Sequence, residues 1–166
     1  MEITQGVRFD SRRLSPELMR ALEKKGYVES TPIQAGCIPP MMDWQDVTAK
    51  APTGTGKTFA FGIPIIEHVD PESEAVHAVI LAPTRELAMQ ITSEMRDLAQ
   101  FKPGIRMVCL YGGQPIGKQI DALKKKPQIV VATPGRLGDH MKRRTVRIDQ
   151  VQTAVLDEAD RMLDMG

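Results

Sequence analysis

The 166-residue sequence has few cysteines and few aromatic residues. Its two cysteines, Cys37 and Cys109, are far apart and have no Cys or His at ligand spacing. That pattern excludes a disulfide framework and argues against a zinc cluster, and it is typical of a reducing compartment. Aromatic residues make up only 4% of the chain, so few side chains are available to stack on nucleic-acid bases.

The sequence also has almost no net charge and no long apolar run. The net charge of +1 argues against a long basic or acidic tail, although a local patch can still bind nucleic acid. No apolar run approaches the roughly 18 residues of a membrane span, and the first residues lack the apolar segment of a signal peptide. We therefore expect a single cytoplasmic domain without a membrane segment.

Apolar stretches of strand length alternate with helical patterns along the chain. Residues 76–82, VHAVILA, are continuously apolar, which is typical of a strand buried on both faces of a sheet. Similar patterns predict further strands at 46–51, 105–110, 129–132 and 151–156, and helices at 15–26, from 31 onward, 57–68, 84–101, 114–126 and 134–144. This alternation predicts an α/β fold with a mostly parallel sheet and helices on both faces. Ligands bind such sheets at the carboxyl ends of the strands.

The strongest chemical signal is residues 51–58, APTGTGKT, between a predicted strand and a predicted helix. Its glycines allow the backbone to turn tightly around a phosphate, with the amides pointing at the oxygens. Lys57 is expected to reach the β- and γ-phosphates and Thr58 to hold Mg²⁺. The general pattern begins with Gly, whereas here Ala51 has that place. We predict a phosphate site, rather than a chance glycine-rich turn, formed by Thr53, Gly54, Thr55, Gly56, Lys57 and Thr58.

Two acids, Asp157 and Glu158, end the last predicted strand. An acid at this place can hold Mg²⁺ from the side opposite the phosphate loop, and Glu158 is suited to orient and deprotonate an attacking water. Alone, the pair could equally be the acidic first turn of a helix. Combined with the phosphate loop, it predicts hydrolysis of a phosphoanhydride, with Lys57 and Glu158 as the catalytic residues and Thr58 and Asp157 as the metal ligands.

The acids open the sequence Asp-Glu-Ala-Asp at 157–160, and with it the chain resembles the first RecA-like domain of a DEAD-box RNA helicase. The likeness extends from about Phe9 to the end of the sequence. It implies a RecA-like P-loop fold, with ATP and Mg²⁺ as cofactors, and a role for Asp160 in coupling two domains.

Residues 26–34, GYVESTPIQ, resemble the family's Q motif, although Ser30 stands where the family usually has Pro. The resemblance implies that Tyr27 stacks on adenine and that Gln34 binds its edge, with Phe9 and Thr31 in the same adenine site. An amide can both donate to and accept from adenine, which favours ATP over GTP.

Three further segments resemble family motifs that grip the sugar-phosphate backbone of one RNA strand. All follow predicted strands, and their hydroxyl, glycine and arginine residues suit contacts to phosphate and ribose rather than to base edges. Each segment alone could equally be a helix cap or a turn. The resemblance implies sequence-independent RNA binding by Pro83, Thr84, Arg85, Gly112, Gly113, Thr133, Pro134, Gly135 and Arg136.

Two basic runs, at 124–126 and 142–144, fall at predicted helix ends, where cations are favoured in any case. We interpret them as solvated faces. The three histidines, His68, His77 and His140, have no partner pattern and are interpreted as structural or surface residues.

The family pattern continues beyond the Asp-Glu-Ala-Asp sequence to a Ser-Ala-Thr motif and a second RecA-like domain, which residues 1–166 do not contain. We expect residues 1–166 to be the amino-terminal ATP-binding domain, with 1–35 as its Q-motif region, and to bind adenine nucleotide with little hydrolysis and no unwinding. The fold would be incomplete at its carboxyl end, leaving a strand edge that favours self-association. Two alternatives are a DNA helicase or translocase of the same superfamily and a non-catalytic ATP-binding module.

Overall fold

The structure is a computed structural model that describes residues 14–27, 29–48 and 56–158. The chain forms two compact units, Met1–His68 with Glu94–Pro103 and Val69–Ser93 with Gly104–Gly166. Predictions for several site residues lie outside the described residues, namely those for Phe9, Thr53, Gly54, Thr55 and Asp160. Of the strand predicted at 46–51, residues 46–48 have no regular secondary structure, and residues 49–51 also lie outside the described residues. No helix in the described ranges is long and apolar enough to cross a membrane.

The first unit is helical, and it contains α1 (Pro16–Lys24), α2 (Pro32–Met42), α3 (Lys57–His68) and the end of α4 (Arg85–Ala99). Residues with the expected capping chemistry begin two of these helices. Ser15 accepts a hydrogen bond from the Leu18 amide ahead of α1, and Thr31 forms a capping box with Gln34 at the start of α2. The helices predicted in this part of the chain are therefore confirmed.

The core of the first unit forms around α3, whose residues Phe59 to Ile66 are all buried even though Pro64 lies inside the helix. From α1, Leu18, Ala21 and Leu22 are buried as their spacing predicts. A polar contact joins the two helices, because the Ser15 amide and hydroxyl both donate to Glu67 Oε1, at 2.8 and 2.6 Å.

The second unit contains a four-stranded parallel sheet in the order β2-β3-β1-β4. Its strands are β1 (Ala78–Leu81), β2 (Met107–Leu110), β3 (Ile129–Ala132) and β4 (Thr153–Leu156). The central strands β1 and β3 are almost wholly buried, whereas the outer strands alternate between more and less buried residues. The α/β class and the parallel sheet are confirmed.

Two helices cover one face of this sheet, α5 (Ile116–Leu123) and α6 (Pro134–Lys142). Leu123 and Leu137 from these helices pack with Val79, Val108 and Val130 of three strands in a buried apolar cluster. The two helices do not cover β4. Its Leu156, which lies beside Leu81 on the same face of the sheet, is 60% exposed. Among the described strands, β4 has a neighbour on one side only, as expected for the acid-bearing strand. Self-association through that edge stays a prediction.

Several elements are shorter than their sequence patterns suggest. The helix predicted at 114–126 covers only Ile116–Leu123, because Pro115 lies at its N-cap and Lys126 has a left-handed backbone with φ 58°. The helix predicted at 134–144 ends at Lys142, since Arg144 also has φ 58°. In both cases the predicted helix extends through a basic run, and the backbone leaves the helix within that run.

The side chains of Gln128 and Arg106 connect the loops that precede β1, β2 and β3. The Gln128 side chain is fully buried, accepts from the Arg106 amide at 2.7 Å and donates to the carbonyls of Gly104 and Pro71 at 3.0 and 3.2 Å. The Arg106 guanidinium donates to the carbonyls of Ser73, Gly104, Lys125 and Lys126, each at 2.9 Å. These bonds satisfy backbone groups that no strand or helix pairs.

Candidate functional site

The candidate adenine site lies in the first unit, where Gln34 connects two segments. Gln34 is 3% exposed, and its Oε1 accepts from the Thr31 amide at 2.9 Å while its Nε2 donates to the Gly56 carbonyl at 3.0 Å. The side chain therefore joins the start of α2 to the residue that precedes α3. These two bonds use one of the two lone pairs of the Gln34 amide oxygen and one of the two N–H groups of its nitrogen. The other lone pair and the other N–H could bind a ligand.

Tyr27 offers an exposed aromatic surface in the same unit. Its side chain is 48% exposed, and its ring meets the Phe59 ring edge to face, with 5.3 Å between ring centres. The contact holds the ring from one side and leaves area that could stack on a flat base. Thr31, the remaining described residue of the predicted adenine site, serves as the N-cap of α2.

Gly56, Lys57 and Thr58 form the entry to α3. Gly56 has φ 79°, which a residue with a side chain adopts only at a cost, and its carbonyl accepts the Ala60 amide at 3.2 Å. Lys57 and Thr58 follow in the first turn and are partly buried. The backbone amides and the positive dipole end at the start of a helix suit an anion.

We predict that Gly56→Ala destabilises the first unit and weakens nucleotide binding. A Cβ at this position would lie 2.3 Å from Gln34 Nε2 and 3.2 Å from Thr31 Cγ2, on a backbone with φ 79°. The strain and the displaced amide should together lower the free energy of unfolding by about 1–3 kcal/mol in urea titrations. Gly36→Ala is the control, because it lies inside α2 with no atom within 4 Å of a new Cβ. It should leave stability unchanged or raise it by up to about 1 kcal/mol, and an equal loss in both variants would contradict the prediction.

The two acids lie in the second unit at the carboxyl end of β4. Asp157 is 5% exposed, and its amide donates to the Leu81 carbonyl at 2.9 Å, which extends the pairing with β1. Glu158 has φ 53°, a left-handed conformation that is unusual for a residue other than glycine. Strained backbone of this kind often occurs at functional sites.

The donor chemistry fits a magnesium ion bound together with phosphates. Among the described residues, no group of three or more His, Cys, Asp or Glu side chains could hold a metal ion alone. Mg²⁺ is usually held by one or two protein oxygens, with waters and substrate phosphates completing its shell. The Thr58 hydroxyl and the Asp157 carboxylate are ligands of that kind.

All nine residues predicted to contact RNA lie after three neighbouring strands of the sheet. Because Leu81, Ala132 and Leu110 are aligned across β1, β3 and β2, the loops that follow these strands lie at the same edge. The structure thus brings together three segments that are separate in the sequence, which are Pro83 to Arg85, Gly112 with Gly113, and Thr133 to Arg136.

Two arginines approach the glycine pair from the other two loops. A Cβ on Gly113 would lie 3.3 Å from Arg85 Nη1, and a Cβ on Gly112 would lie 4.0 Å from Arg136 Nη2. Gly113 has φ 88°, so glycine is favoured there for its backbone as well as for the space. The cluster offers guanidinium and amide donors, which are the groups that bind phosphates.

The alternative interpretation of these segments as helix caps is correct for one of their threonines. Thr84 Oγ1 accepts from the Leu87 amide at 3.2 Å and caps α4. Thr133 occupies the N-cap position of α6, but its side chain makes no capping hydrogen bond. Capping and a contact to RNA are compatible, since a hydroxyl oxygen has two lone pairs.

A buried network, which the sequence did not indicate, supports the glycine loop. His140 and Gln119 are 0% and 2% exposed, and His140 Nε2 lies 2.8 Å from Gln119 Oε1. Gln119 Nε2 donates to the Tyr111 carbonyl and to Gln114 Oε1, at 2.8 and 2.9 Å. Arg136 donates to the Gln114 carbonyl at 3.3 Å, so the network reaches a residue of the candidate RNA site. His140 is structural, as interpreted, but no local pattern links it to Gln119.

We predict that this network makes stability fall below about pH 6.5. Burial lowers the pKa of His140 below its usual 6.5, and Arg136 and Arg143 act in the same direction against an opposing effect of Asp139. Below 6.5 the unfolded chain therefore binds a proton that the folded chain does not, and the free energy of unfolding falls by at most about 1.4 kcal/mol per pH unit. Urea titrations at about pH 7 and 5.5 should detect the loss. A His140→Asn variant with the same pH dependence would contradict it.

Comparison with known proteins identifies related chains. A family model described as DEAD/DEAH box helicase matches residues 31–166. The chain is 51% identical over 160 residues to the DEAD-box ATP-dependent RNA helicase CshA of Bacillus subtilis, covering 96% of this chain and 32% of that protein. It is 50% identical over 160 residues to the ATP-dependent RNA helicase CshA of Limosilactobacillus reuteri, again covering 96% and 32%.

A solved structure gives the same result at the level of the fold. A DEAD box protein from the hyperthermophile Methanococcus jannaschii matches with a TM-score of 0.90 and 40% identity, covering 98% of this chain and 44% of that one. The RecA-like fold class is thereby confirmed. The chain spans about a third of the length of the curated relatives it matches.

Proposed function

Because the chain belongs to the DEAD/DEAH box helicase family, we propose that it is the ATP-binding domain of an ATP-dependent RNA helicase. In the longer protein, ATP hydrolysis would be coupled to unwinding of RNA duplexes. The observation that carries the proposal is the meeting of three loops at one sheet edge, where Arg85 and Arg136 approach the Gly112–Gly113 turn. Such a cluster binds a sugar-phosphate backbone and reads no base sequence.

In this proposal the first unit binds the nucleotide. Tyr27 stacks on adenine, with Phe9 and Thr31 in the same site. The second acceptor and second N–H of Gln34 meet the base edge, which has one donor and one acceptor in the matching places. Residues 53–58 hold the phosphates through their amides and the Lys57 ammonium.

Glu158 is the base that accepts a proton from the attacking water, and Lys57 neutralises charge that develops on the phosphates. Thr58 and Asp157 are the residues that would hold Mg²⁺, which supplies charge stabilisation at the transferred phosphoryl group when bound. Positioning of the water by Glu158 contributes as well, because the reaction needs in-line attack.

Residues 1–166 alone should bind ATP but hydrolyse it very slowly. Arginines that contact the γ-phosphate are contributed by a second RecA-like domain in this family, and such an arginine is worth about 10³–10⁵-fold in rate. A second domain would also complete the RNA groove. Asp160 is proposed to couple the two domains.

The nucleotide part of the proposal is tested by calorimetry of residues 1–166 with Mg²⁺ and either ATP or GTP. We expect saturable binding of ATP and much weaker binding of GTP. Tyr27→Ala should weaken ATP binding about 5- to 150-fold, because stacking on one base is worth roughly 1–3 kcal/mol. Trp44→Ala, at another exposed aromatic side chain of the same unit, is the control and should have no effect. Equal binding of ATP and GTP would overturn the adenine assignment.

The RNA part is tested by fluorescence anisotropy with single-stranded RNA. Arg136→Ala should weaken binding of polyuridylate and polyadenylate by the same factor, since a phosphate contact carries no sequence information. Exposed Arg96 on α4 provides the matched control, Arg96→Ala. Loss of binding to one sequence only would contradict backbone recognition, and stronger binding of single-stranded DNA would favour the DNA translocase.

A further inference from the structure

A groove opens at the end of the sheet opposite to the candidate RNA site. Its volume is about 480 Å³, and all of its lining residues belong to the second unit. The apolar floor consists of Val76, Leu123 and Val146, and three cations, Lys126, Arg144 and Arg147, lie around it. These residues precede β1, β3 and β4 in the chain, so the groove lies at the amino ends of parallel strands. It is therefore separate from the loops that follow the same strands.

The three cations are not needed to cap the helices next to them. At the end of α5, the Lys125 amide already donates to the Ala122 carbonyl at 3.2 Å and the Lys126 amide to the Leu123 carbonyl at 3.1 Å. At the end of α6, the Arg144 amide donates to the Met141 carbonyl at 3.1 Å and the Thr145 amide to the His140 carbonyl at 3.0 Å. In the described part of the chain, no ion pair involves the side chain of Lys126, Arg144 or Arg147.

Two of the cations occupy backbone positions that favour glycine. Lys126 and Arg144 both have φ 58° just beyond the ends of their helices. α1 ends in the same way, but it has Gly26, with φ 80°, at that place. A glycine would remove the backbone strain at both positions, and the chain instead has a long cationic side chain at each. An observed strain of this kind supports a functional hypothesis.

The lining chemistry determines what the groove could bind. No aromatic side chain lines it, so it has no surface on which a nucleic-acid base could stack. An apolar floor beside cations fits a ligand that has an apolar side chain close to carboxylates. Glu74 and Asp149 also line the groove, so its charged lining consists of three cations and two acids.

We propose that this groove docks an acidic peptide segment of a partner protein, with one apolar side chain on the Val76–Leu123–Val146 floor and its carboxylates on Lys126, Arg144 and Arg147. The basic runs 124–126 and 142–144 flank the groove and attract such a segment from a distance. Lys126 and Arg144, one residue from each run, thus belong to one docking surface, and the other residues of the runs contribute only long-range attraction.

The test is fluorescence anisotropy of a labelled peptide in which glutamates flank a single leucine. We expect saturable binding to residues 1–166, and weaker binding when serine replaces the leucine or lysines replace the glutamates. The double variant R144E/R147E should weaken binding about tenfold or more, because two direct charge contacts become repulsive. The matched control is K142E/R143E, which makes the same change in net charge at exposed residues that do not line the groove, and it should weaken binding less than about threefold.

Three results would overturn the proposal. They are an absence of binding of the glutamate–leucine peptide to the unmodified chain, an equal loss in the two double variants, and a larger effect of R144E/R147E on polyuridylate than on the peptide. The last result would assign the groove to nucleic acid. Circular dichroism melts of both variants separate a loss of docking from a loss of folding. ATP binding should be unchanged in both variants, so a failure of this proposal is distinguishable from a failure of the proposed function.

Discussion

Glu158→Gln should lower RNA-stimulated ATP hydrolysis by about 10²–10⁴-fold in a chain that joins residues 1–166 to a second RecA-like domain. Glutamine keeps the size of the side chain but cannot accept a proton from the attacking water. Glu158 has a left-handed backbone with φ 53°, and the substitution adds no side-chain atom that would strain it further. ATP binding should change little, because Glu158 is proposed to contact the attacking water and neither the nucleotide nor Mg²⁺.

Release of phosphate at saturating ATP and RNA measures the rate, and calorimetry measures nucleotide binding separately. The control is Asp121→Asn, which makes the same chemical change at an exposed carboxylate of α5 and should leave the rate within about twofold. If Glu158→Gln kept the full rate, the water would have another base. If the joined chain with the natural sequence showed no RNA-stimulated turnover, the non-catalytic ATP-binding module would become the better reading.

Local sequence signals predicted the elements whose ends have strong chemical markers. α3 has the bounds Lys57–His68 and β3 the bounds Ile129–Ala132, as the sequence indicated. Where the prediction was too long, as for α5, it extended into the lysines at 124–126, where the backbone turns left-handed at Lys126. A periodicity reports which face is buried, and it carries little information on φ at a residue other than glycine or proline.

Part of the candidate site was also predictable. Loops that follow parallel strands lie at one edge of a sheet, so the three RNA segments were expected to meet if their strands were neighbours. The strand order β2-β3-β1 supplied that condition. The bond from Gln34 to Gly56 and the network around His140 were not predictable, because hydrogen bonds between residues 22 and 21 positions apart leave no local pattern.

Gln128 illustrates the same limit with a larger expected effect on stability. The sequence contains it between a proline and a strand, with nothing to distinguish it from a surface glutamine. In the structure it is 0% exposed and joins segments that lie up to 58 positions away. Gln128→Leu should lower the free energy of unfolding by about 2–4 kcal/mol, since a buried group left without its partner costs roughly 1–3 kcal/mol. The change leaves the Arg106 amide without its buried acceptor, and it removes one donor from each of the Gly104 and Pro71 carbonyls, which Arg106 Nη1 still contacts at 2.9 and 3.5 Å.

Urea denaturation followed by circular dichroism measures this loss, and Gln90→Leu is its control because Gln90 is exposed on α4. The control makes the same chemical change and should shift stability by less than about 0.5 kcal/mol. Gln128→Leu should leave α5 formed, since no hydrogen bond of the Gln128 side chain reaches that helix. A loss below about 1 kcal/mol would mean that water replaces the Gln128 amide at the backbone groups that it now contacts. The loops that precede β1, β2 and β3 would then be connected mainly by Arg106.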